Sequence, residues 1–273
     1  MIIAQMTDFH IGRPLQVAGE ALSCLARLQA AVAHLNACRP RPDLVFATGD
    51  LANHGAEADY RRVRDALGAL GMPCYLLPGN HDHRETLREV FSDHDYLGAG
   101  PYLQYVLEYE KIRIIALDTL HSGEHTGLLC DERLDWFEQC LAADTHKPTL
   151  VFMHHPPIHT GVSVFERFGL RVSDRLHRIV AANSQIQMIA CGHVHRSIQA
   201  RWAGTLVTTT PSVSFQYPLD LTPHEDLDPI LEPPAVRLIV DLAEAGLVSH
   251  LSYVKAYPAV TGVPVQATVS QAH

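Results

Sequence analysis

Apolar runs rich in valine and isoleucine recur along the chain, and each stops abruptly at glycine or a small polar residue. Ile2–Thr7, Leu44–Thr48, Tyr75–Leu77, Ile112–Leu117, Leu150–Met153 and Ile186–Ala190 have this form. Short runs without polar alternation predict strands covered on both faces. Between several of them, apolar residues return every three or four positions. Leu22, Leu25, Leu28, Val32 and Leu35 mark a helix over Ala21–Ala37. Ala58–Leu70 and Asp131–Leu141 repeat the pattern, with Asp131 placed to cap the first turn of the latter. Tyr102–Glu108 and Lys111–Leu117 predict a hairpin around Tyr109-Glu110. Strand–helix alternation followed by more strands predicts an α/β fold of layered sheets with helices outside.

The pattern changes after Thr210. Pro211–Pro234 holds six prolines and few apolar pairs, which predicts a long surface excursion. Ala235–Asp241 and Leu247–Val254 predict a closing hairpin around Glu244–Gly246. The last 18 residues carry no Asp, Glu, Lys or Arg and alternate valines with small residues. Such a tail is expected to pack, across a homo-oligomer interface. No linker divides the chain. Residues 1–210 read as a catalytic core, and 211–273 as loop, hairpin and tail completing the same domain.

Composition adds limits. With 273 residues, 47% of them apolar, the chain can bury a sizeable core. A net charge of −9 argues against nucleic acid as the main partner, because phosphate backbones reward stripes of Lys and Arg. No window of about 18 residues is apolar and free of charge, so no membrane span is expected. Six cysteines without a CxxC pair, and a start lacking a basic leader, predict free thiols and a cytoplasmic location. Eighteen histidines are an unusual load, and no run exceeds two, so many should have local reasons.

Those reasons sit where the strands end. The first run leads into Asp8-Phe-His10, the second into Gly49-Asp50, the third into Gly79-Asn80-His81-Asp82. Two later runs lead into His154-His155-Pro156-Pro157 and Cys191-Gly192-His193-Val194-His195. In an open α/β sheet, ligands bind at the carboxyl ends of the strands. Residues two apart in an extended stretch share a face, so Asp8 with His10 and His193 with His195 can reach one site. Converging Asp, Asn and His without Cys suit divalent ions of intermediate hardness. About seven candidate donors exceed the needs of one ion and point to two ions about 3.5–4 Å apart. A lone histidine or a single Gly-Asn-His-Asp turn would carry no such meaning; five such endings in order do.

Asp8-x-His10, Gly49-Asp50, Gly79-Asn80-His81-Asp82, His154 and Gly192-His193-x-His195 resemble the signature of the calcineurin-like metallophosphoesterases, over roughly residues 1–210. Asp59-Tyr60, Leu77-Pro-Gly-Asn-His-Asp82 and Phe152-Met-His-His-Pro-Pro157 look closest to the bacterial branch of glycerophosphodiesterases and class III cyclic-nucleotide phosphodiesterases. The resemblance implies a β-sandwich flanked by helices, a four-layer αββα arrangement. It implies one metal ion among Asp8, His10, Asp50 and His195, with Asp50 bridging to a second held by Asn80, His154 and His193. His81 is implied to face the substrate rather than a metal, and to act with Asn80 in catalysis. At the position where phosphoprotein phosphatases carry an Asp that pairs with that histidine, this chain has Asn53. His81, Asn53 and His155 are the expected substrate contacts, His155 having an equal alternative as a group orienting His154.

The expected activity is hydrolysis of small phosphodiesters by a metal-bound hydroxide, with Mn, Fe, Zn or Co in the site. His81, when protonated, is placed to act as general acid to the leaving oxygen. Two rivals are a DNA nuclease of the same superfamily and a scaffold that has lost catalysis. The acidic balance counts against the first, and seven intact candidate ligands count against the second. His54, His83, His121, His125 and His159 fall in loops able to rim the site, and His34, His146, His177 and His250 read as surface residues.

Overall fold

The computed structural model describes residues 1–17, 19–242, 246–255 and 257–258. Apart from residues 257–258, the tail expected to pack lies outside the described residues, as does the middle of the closing turn. In chain order the first third contains β1 (Ile2–Met6), β2 (Leu15–Val17), β3 (Glu20–Leu22), α1 (Cys24–Ala37), β4 (Leu44–Thr48), α2 (Glu57–Leu67) and β5 (Cys74–Leu77). Next come α3 (Arg84–Val90), β6 (Tyr105–Glu108), β7 (Arg113–Leu117), β8 (Gly127–Leu128), α4 (Asp131–Ala142) and β9 (Thr149–Met153). The remainder is α5 (Ser163–Phe168), β10 (Leu170–Arg171), α6 (Asp174–Ala182), β11 (Ile186–Cys191), β12 (Ile198–Trp202), β13 (Thr205–Thr209), β14 (Ala235–Leu242) and β15 (Gly246–Tyr253).

Two sheets carry the architecture, in the orders β15-β14-β1-β4-β5 and β12-β13-β11-β9-β7-β6. Within them β1, β4 and β5 run parallel, as do β7, β9, β11 and β13. Side chains alternate across a strand, and the burial follows that alternation. Ile114, Ala116, Leu150, Phe152, Met188 and Ala190 belong to the core shared with the first sheet, where Phe46 stacks on Phe152 at 4.2 Å. Their neighbours Ile115, Leu117, Val151, Met153, Ile189 and Cys191 turn outward, onto Leu134, Phe137 and Leu141 of α4 and Leu176, Ile179 and Val180 of α6. Helices α1 and α2 cover the outer face of the first sheet, so the layers are αββα. Both faces of the central strands are therefore apolar.

One polar chain crosses between the sheets just below the strand ends. Gln5 donates to Thr48 Oγ1 and to the Cys191 carbonyl, and receives a hydrogen bond from Thr210 Oγ1. Arg237 of β14 donates in turn to Thr210 Oγ1 and the Thr209 carbonyl, fully buried without a carboxylate partner among the described residues. Burial lowers its pKa to about 10. The Gln5 amide and the Arg237 guanidinium both meet acceptors, which is what a polar layer inside a sandwich requires.

Several local expectations need correction. Leu22 belongs to the β2–β3 hairpin, and α1 starts only after Ser23, whose hydroxyl accepts from Ala26 N–H. Cys130, without a side-chain capping bond, occupies the N-cap position of α4, and Asp131 lies one residue inside it with its carboxylate accepting from Arg175. The 102–108 strand begins only at Tyr105, because Leu103 N–H donates to the Asp118 carboxylate instead of a neighbouring strand. Residues 211–216 are buried, not on the surface: Ser212 and Ser214 donate to the carbonyls of Asp8 and Phe9. The exposed excursion starts after them. His34 is half-buried against Ser252.

Candidate metal centre

The two sheets bring their carboxyl edges together, and the centre sits on the seam. Asp8 and His10 follow β1, Asp50 follows β4, and Asn80 and His81 follow β5. The second sheet contributes His154 after β9, and His193 and His195 after β11. All five residues Asp8, His10, Asp50, His193 and His195 have left-handed backbone, with φ between 48° and 71°. Such conformations are costly for residues other than glycine and persist only where surroundings force them. Here the forcing comes from hydrogen bonds across the seam, such as His193 N–H donating to the Asp8 carboxylate.

Glycines let the backbone press against these ligands. A Cβ on Gly79 would lie 2.2 Å from Asp50 Oδ1, and one on Gly192 would lie 2.8 Å from Asp8 Oδ2. The motif glycines therefore make room for carboxylates, a role the spacing alone does not reveal.

The donor atoms converge in two overlapping groups. His195 Nε2 lies 3.1 Å from His10 Nε2 and 3.3 Å from Asp8 Oδ1. Asn80 Oδ1 lies 3.2 Å from His154 Nε2 and 3.0 Å from His193 Nδ1. Asp50 joins the groups: its Oδ2 is 3.5 Å from His10 Nε2 and 3.4 Å from His154 Nε2, while its Oδ1 accepts from His81 N–H. The outer ring nitrogens fix the tautomers. His195 Nδ1 donates to the Phe215 carbonyl, His154 Nδ1 to the Thr48 carbonyl, and His10 Nδ1 to Asn53 Oδ1. The Nε2 atoms of His10 and His195 then present lone pairs to each other and to carboxylate oxygens. Acceptors facing acceptors at about 3 Å are repulsive unless a cation lies between them. The residues present fit two divalent ions.

Ionisation gives the same answer. Burial disfavours charge on His154, but the Asp50 carboxylate overrides it and raises the pKa to about 9. Burial, with the charge of His154, pushes His193 down to about 3, and burial also drives His10 well below its ordinary value. A centre that holds a proton on one imidazole while keeping its neighbours neutral is built to hold positive charge.

The other expected site residues are placed as follows. His81 is half-buried at the mouth; its Nδ1 donates to the backbone carbonyl of Asn53, which leaves Nε2 free of that anchor. The Asn53 side chain does not face the mouth. Its amide is engaged with His10 and His54, so the expectation of a substrate contact is corrected to a support for His10. Of the two roles expected for His155, its placement fits the supporting one. It is fully buried, with Nδ1 at Thr119 Oγ1 and Nε2 at the His125 carbonyl, and its ring stands 4.9 Å from that of His154.

Two residues were missed. Asp82 accepts from the N–H groups of Leu51, Ala52 and Gly79 and from Tyr60 O–H, clamping the Asp50 and Asn80 loops together. Burial and the nearby Asp50 raise its pKa to about 6. Its place in the motif was visible; its four donors were not. His125 stands over the centre, its Nδ1 3.2 Å from Asn80 Nδ2 and its ring 5.2 Å from that of His81. Only its presence in a loop signalled it.

With this geometry in view, comparison with known proteins is direct. Residues 1–197 match the family described as calcineurin-like phosphoesterase. The chain belongs to that family, and its centre is that of a metal-dependent phosphodiesterase. It is 35% identical over 255 residues to a protein of Arcobacter nitrofigilis named probable glycerophosphodiester phosphodiesterase, covering 93% of each chain. It is 31% identical over 218 residues to the 3',5'-cyclic adenosine monophosphate phosphodiesterase of Escherichia coli K12, covering 79% of this chain and 77% of that one. A dimetal phosphatase from Danio rerio shares the fold, with a TM-score of 0.65 at 15% identity, over 93% of this chain and 99% of that one.

Proposed function

We propose that the chain hydrolyses small phosphodiesters, cyclic nucleotides or glycerophosphodiesters, at the centre described above. The observation that carries the reading is the pair of overlapping donor groups joined by Asp50, open at a mouth where Asn80 and His81 are half-exposed. We assign Asp8, His10, Asp50 and His195 to a first ion, and Asp50, Asn80, His154 and His193 to a second. When bound, two such ions supply an activated water and neutralise charge on the phosphoryl oxygens.

The protein groups do the rest. Asn80 turns its amide oxygen inward and so holds one edge of the cavity fixed. His81, anchored through Nδ1, presents Nε2 to the mouth, where a proton on it can pass to the departing alkoxide. The named substrates of the relatives support the substrate class. The net charge of −9 weighs against a nuclease. Six free cysteines support a reducing compartment such as the cytoplasm.

Metal analysis combined with a hydrolysis panel tests the reading. The panel contains a phosphomonoester, cyclic nucleotides, glycerophosphodiesters and single-stranded DNA, each with Mn, Fe, Co or Zn supplied. Two ions per chain with turnover of a small diester is the expected outcome. Turnover confined to DNA, or no turnover with both positions filled, would overturn it.

A further inference from the structure

Beside His81 at the mouth stands a second imidazole that the reading above leaves without a part. The rings of His125 and His81 lie 5.2 Å apart, tilted at 48°. His81 follows β5 of the first sheet, whereas the loop of His125 follows β7 of the second, so the rings come from opposite sheets.

An exposed histidine is ordinarily a mobile, solvated side chain. His125 is exposed, yet it is held at ring, backbone and loop root. Its ring meets Phe168 edge-on at 5.8 Å, and its carbonyl accepts from His155. Arg84 clamps the root of the loop, with Nε and Nη2 donating to the Asp118 carboxylate at 2.6 and 2.8 Å. The same guanidinium reaches the Leu120 carbonyl and Ser122 Oγ. Arg84 begins α3, directly after the Asn80–His83 stretch, so one side chain ties the two loops of the mouth together.

The contact with Asn80 decides where the ring proton sits. Asn80 turns its amide oxygen to His154 and His193, so Nδ2 faces His125 as a donor. His125 Nδ1, 3.2 Å away, accepts from it, and the proton of the neutral ring belongs on Nε2. Nε2 has no hydrogen-bond partner among the described residues. Both nitrogens belong to one small ring, so this donor stands a ring's width from the Asn80 amide.

We propose that His125 is a substrate-binding residue of the centre, donating Nε2–H to an unesterified phosphoryl oxygen, with Arg84 as its positioning residue. The inference rests on the phosphodiesterase reading. A phosphodiester beside Asn80 and His81 brings anionic oxygens, which are strong acceptors, to a donor whose loop is already fixed. A contact made equally in ground and transition states lowers KM and leaves kcat alone.

The two ring nitrogens can be replaced one at a time. His125→Asn keeps an amide oxygen where Nδ1 accepts from Asn80, but nothing reaches the Nε2 position. His125→Gln brings an amide N–H to the Nε2 position and leaves Asn80 unmatched. With manganese filling both positions, inorganic phosphate is titrated calorimetrically into each protein, and KM and kcat are measured on glycerophosphoethanolamine. His125→Asn should weaken phosphate and raise KM by about tenfold with kcat within about twofold, and His125→Gln should recover most of both. A manganese titration should give the reverse order, with the second ion loosened in His125→Gln and nearly unchanged in His125→Asn. Misfolding would lower both measures together, so it cannot produce this crossed order. Phosphate affinity and KM unchanged in His125→Asn, or altered equally in both variants, overturns the proposal. If phosphate binding shows the crossed order while the wild type turns over no diester, the phosphodiesterase reading alone falls.

Discussion

The two halves of the metal centre are built differently. On one side Asp8, His10 and His195 are all buried, all held in left-handed backbone, and backed by Phe215, whose ring lies 4.6 Å from that of His195. On the other side Asn80 offers a neutral amide on a half-exposed loop, and His193 has an unsupported outer nitrogen. A carboxylate gains more than an amide from a divalent cation, and a rigid donor loses less freedom on binding. The closed half should therefore hold its ion tightly and the open half loosely. The half-exposed Asn80 and His81 put the mouth on the side of the loosely held ion, which suits a site that must exchange water for phosphate oxygens.

Asp50 belongs to both halves, so its loss should erase the contrast. In Asp50→Ala, neither ion should be retained after desalting, and hydrolysis should fall to background. Isothermal titration with manganese checks this, and two tight ions in that variant would refute the bridging assignment. Chelation of the wild-type protein should separate the halves instead, releasing one ion well before the other.

Asp82 tests whether the loops carrying Asp50 and Asn80 are held as one unit. Asp82→Ala leaves three backbone N–H groups and the Tyr60 hydroxyl without their acceptor. At roughly 1–3 kcal/mol for a buried unsatisfied group, partly relieved by relaxation, a loss of about 3 kcal/mol is expected in urea unfolding. A loss under about 1 kcal/mol would mean that the loops hold themselves.

The metal centre was far more legible than its surroundings. Asp8, His10, Asp50, Asn80, His154, His193 and His195 announced themselves because each follows an apolar run, and the period of a buried strand leaves little choice about where the run ends. The hydrogen bonds behind them join residues far apart in sequence. Asn53 meets His10, Phe215 meets His195, and Thr119 meets His155 across separations of 43, 20 and 36 residues. No local pattern marks such pairs. Residues 211–216 were misplaced for a related reason: prolines and serines signal a loop, but not that its serines serve the carbonyls of the Asp8 turn. The β12–β13 hairpin is absent from the sequence reading although its signal is present: Ile198, Ala200 and Trp202 alternate with Gln199 and Arg201, and Ala203-Gly204 makes the turn.

His81 lies between the halves, and its loss should distinguish proton delivery from phosphate binding. In His81→Ala both ions should stay, since no proposed ligand is touched. The rate should fall by about 10²–10⁴ on alkyl diesters, whose alkoxides need a proton, and clearly less on a nitrophenyl diester. Equal losses on both would make His81 a holder of phosphate charge instead. The anchor seen here is a backbone carbonyl, not a carboxylate, so Asn53→Ala should leave the leaving-group pattern of the wild type while weakening the first ion through His10.

The smallest expected effect bears most directly on the contrast between the halves. The His125 side chain reaches the second half through Asn80, accepting from its Nδ2 and so keeping the amide oxygen turned inward. The loop that carries it is pinned from behind, because His155 donates to the His125 carbonyl. Loss of an outer partner of this kind typically costs about 10–100-fold in metal affinity. Because His125 is exposed and water can replace part of its role, His125→Ala should lie near the lower end, with the first ion unaffected. His125→Asn, whose amide oxygen can also accept, should recover much of the loss. The decisive measurement is the double variant: with Asn80→Ala already in place, removing His125 should change second-ion affinity no further. Additive losses would show that His125 acts on the centre by some route other than Asn80, and the open half would then owe its weakness to the amide alone.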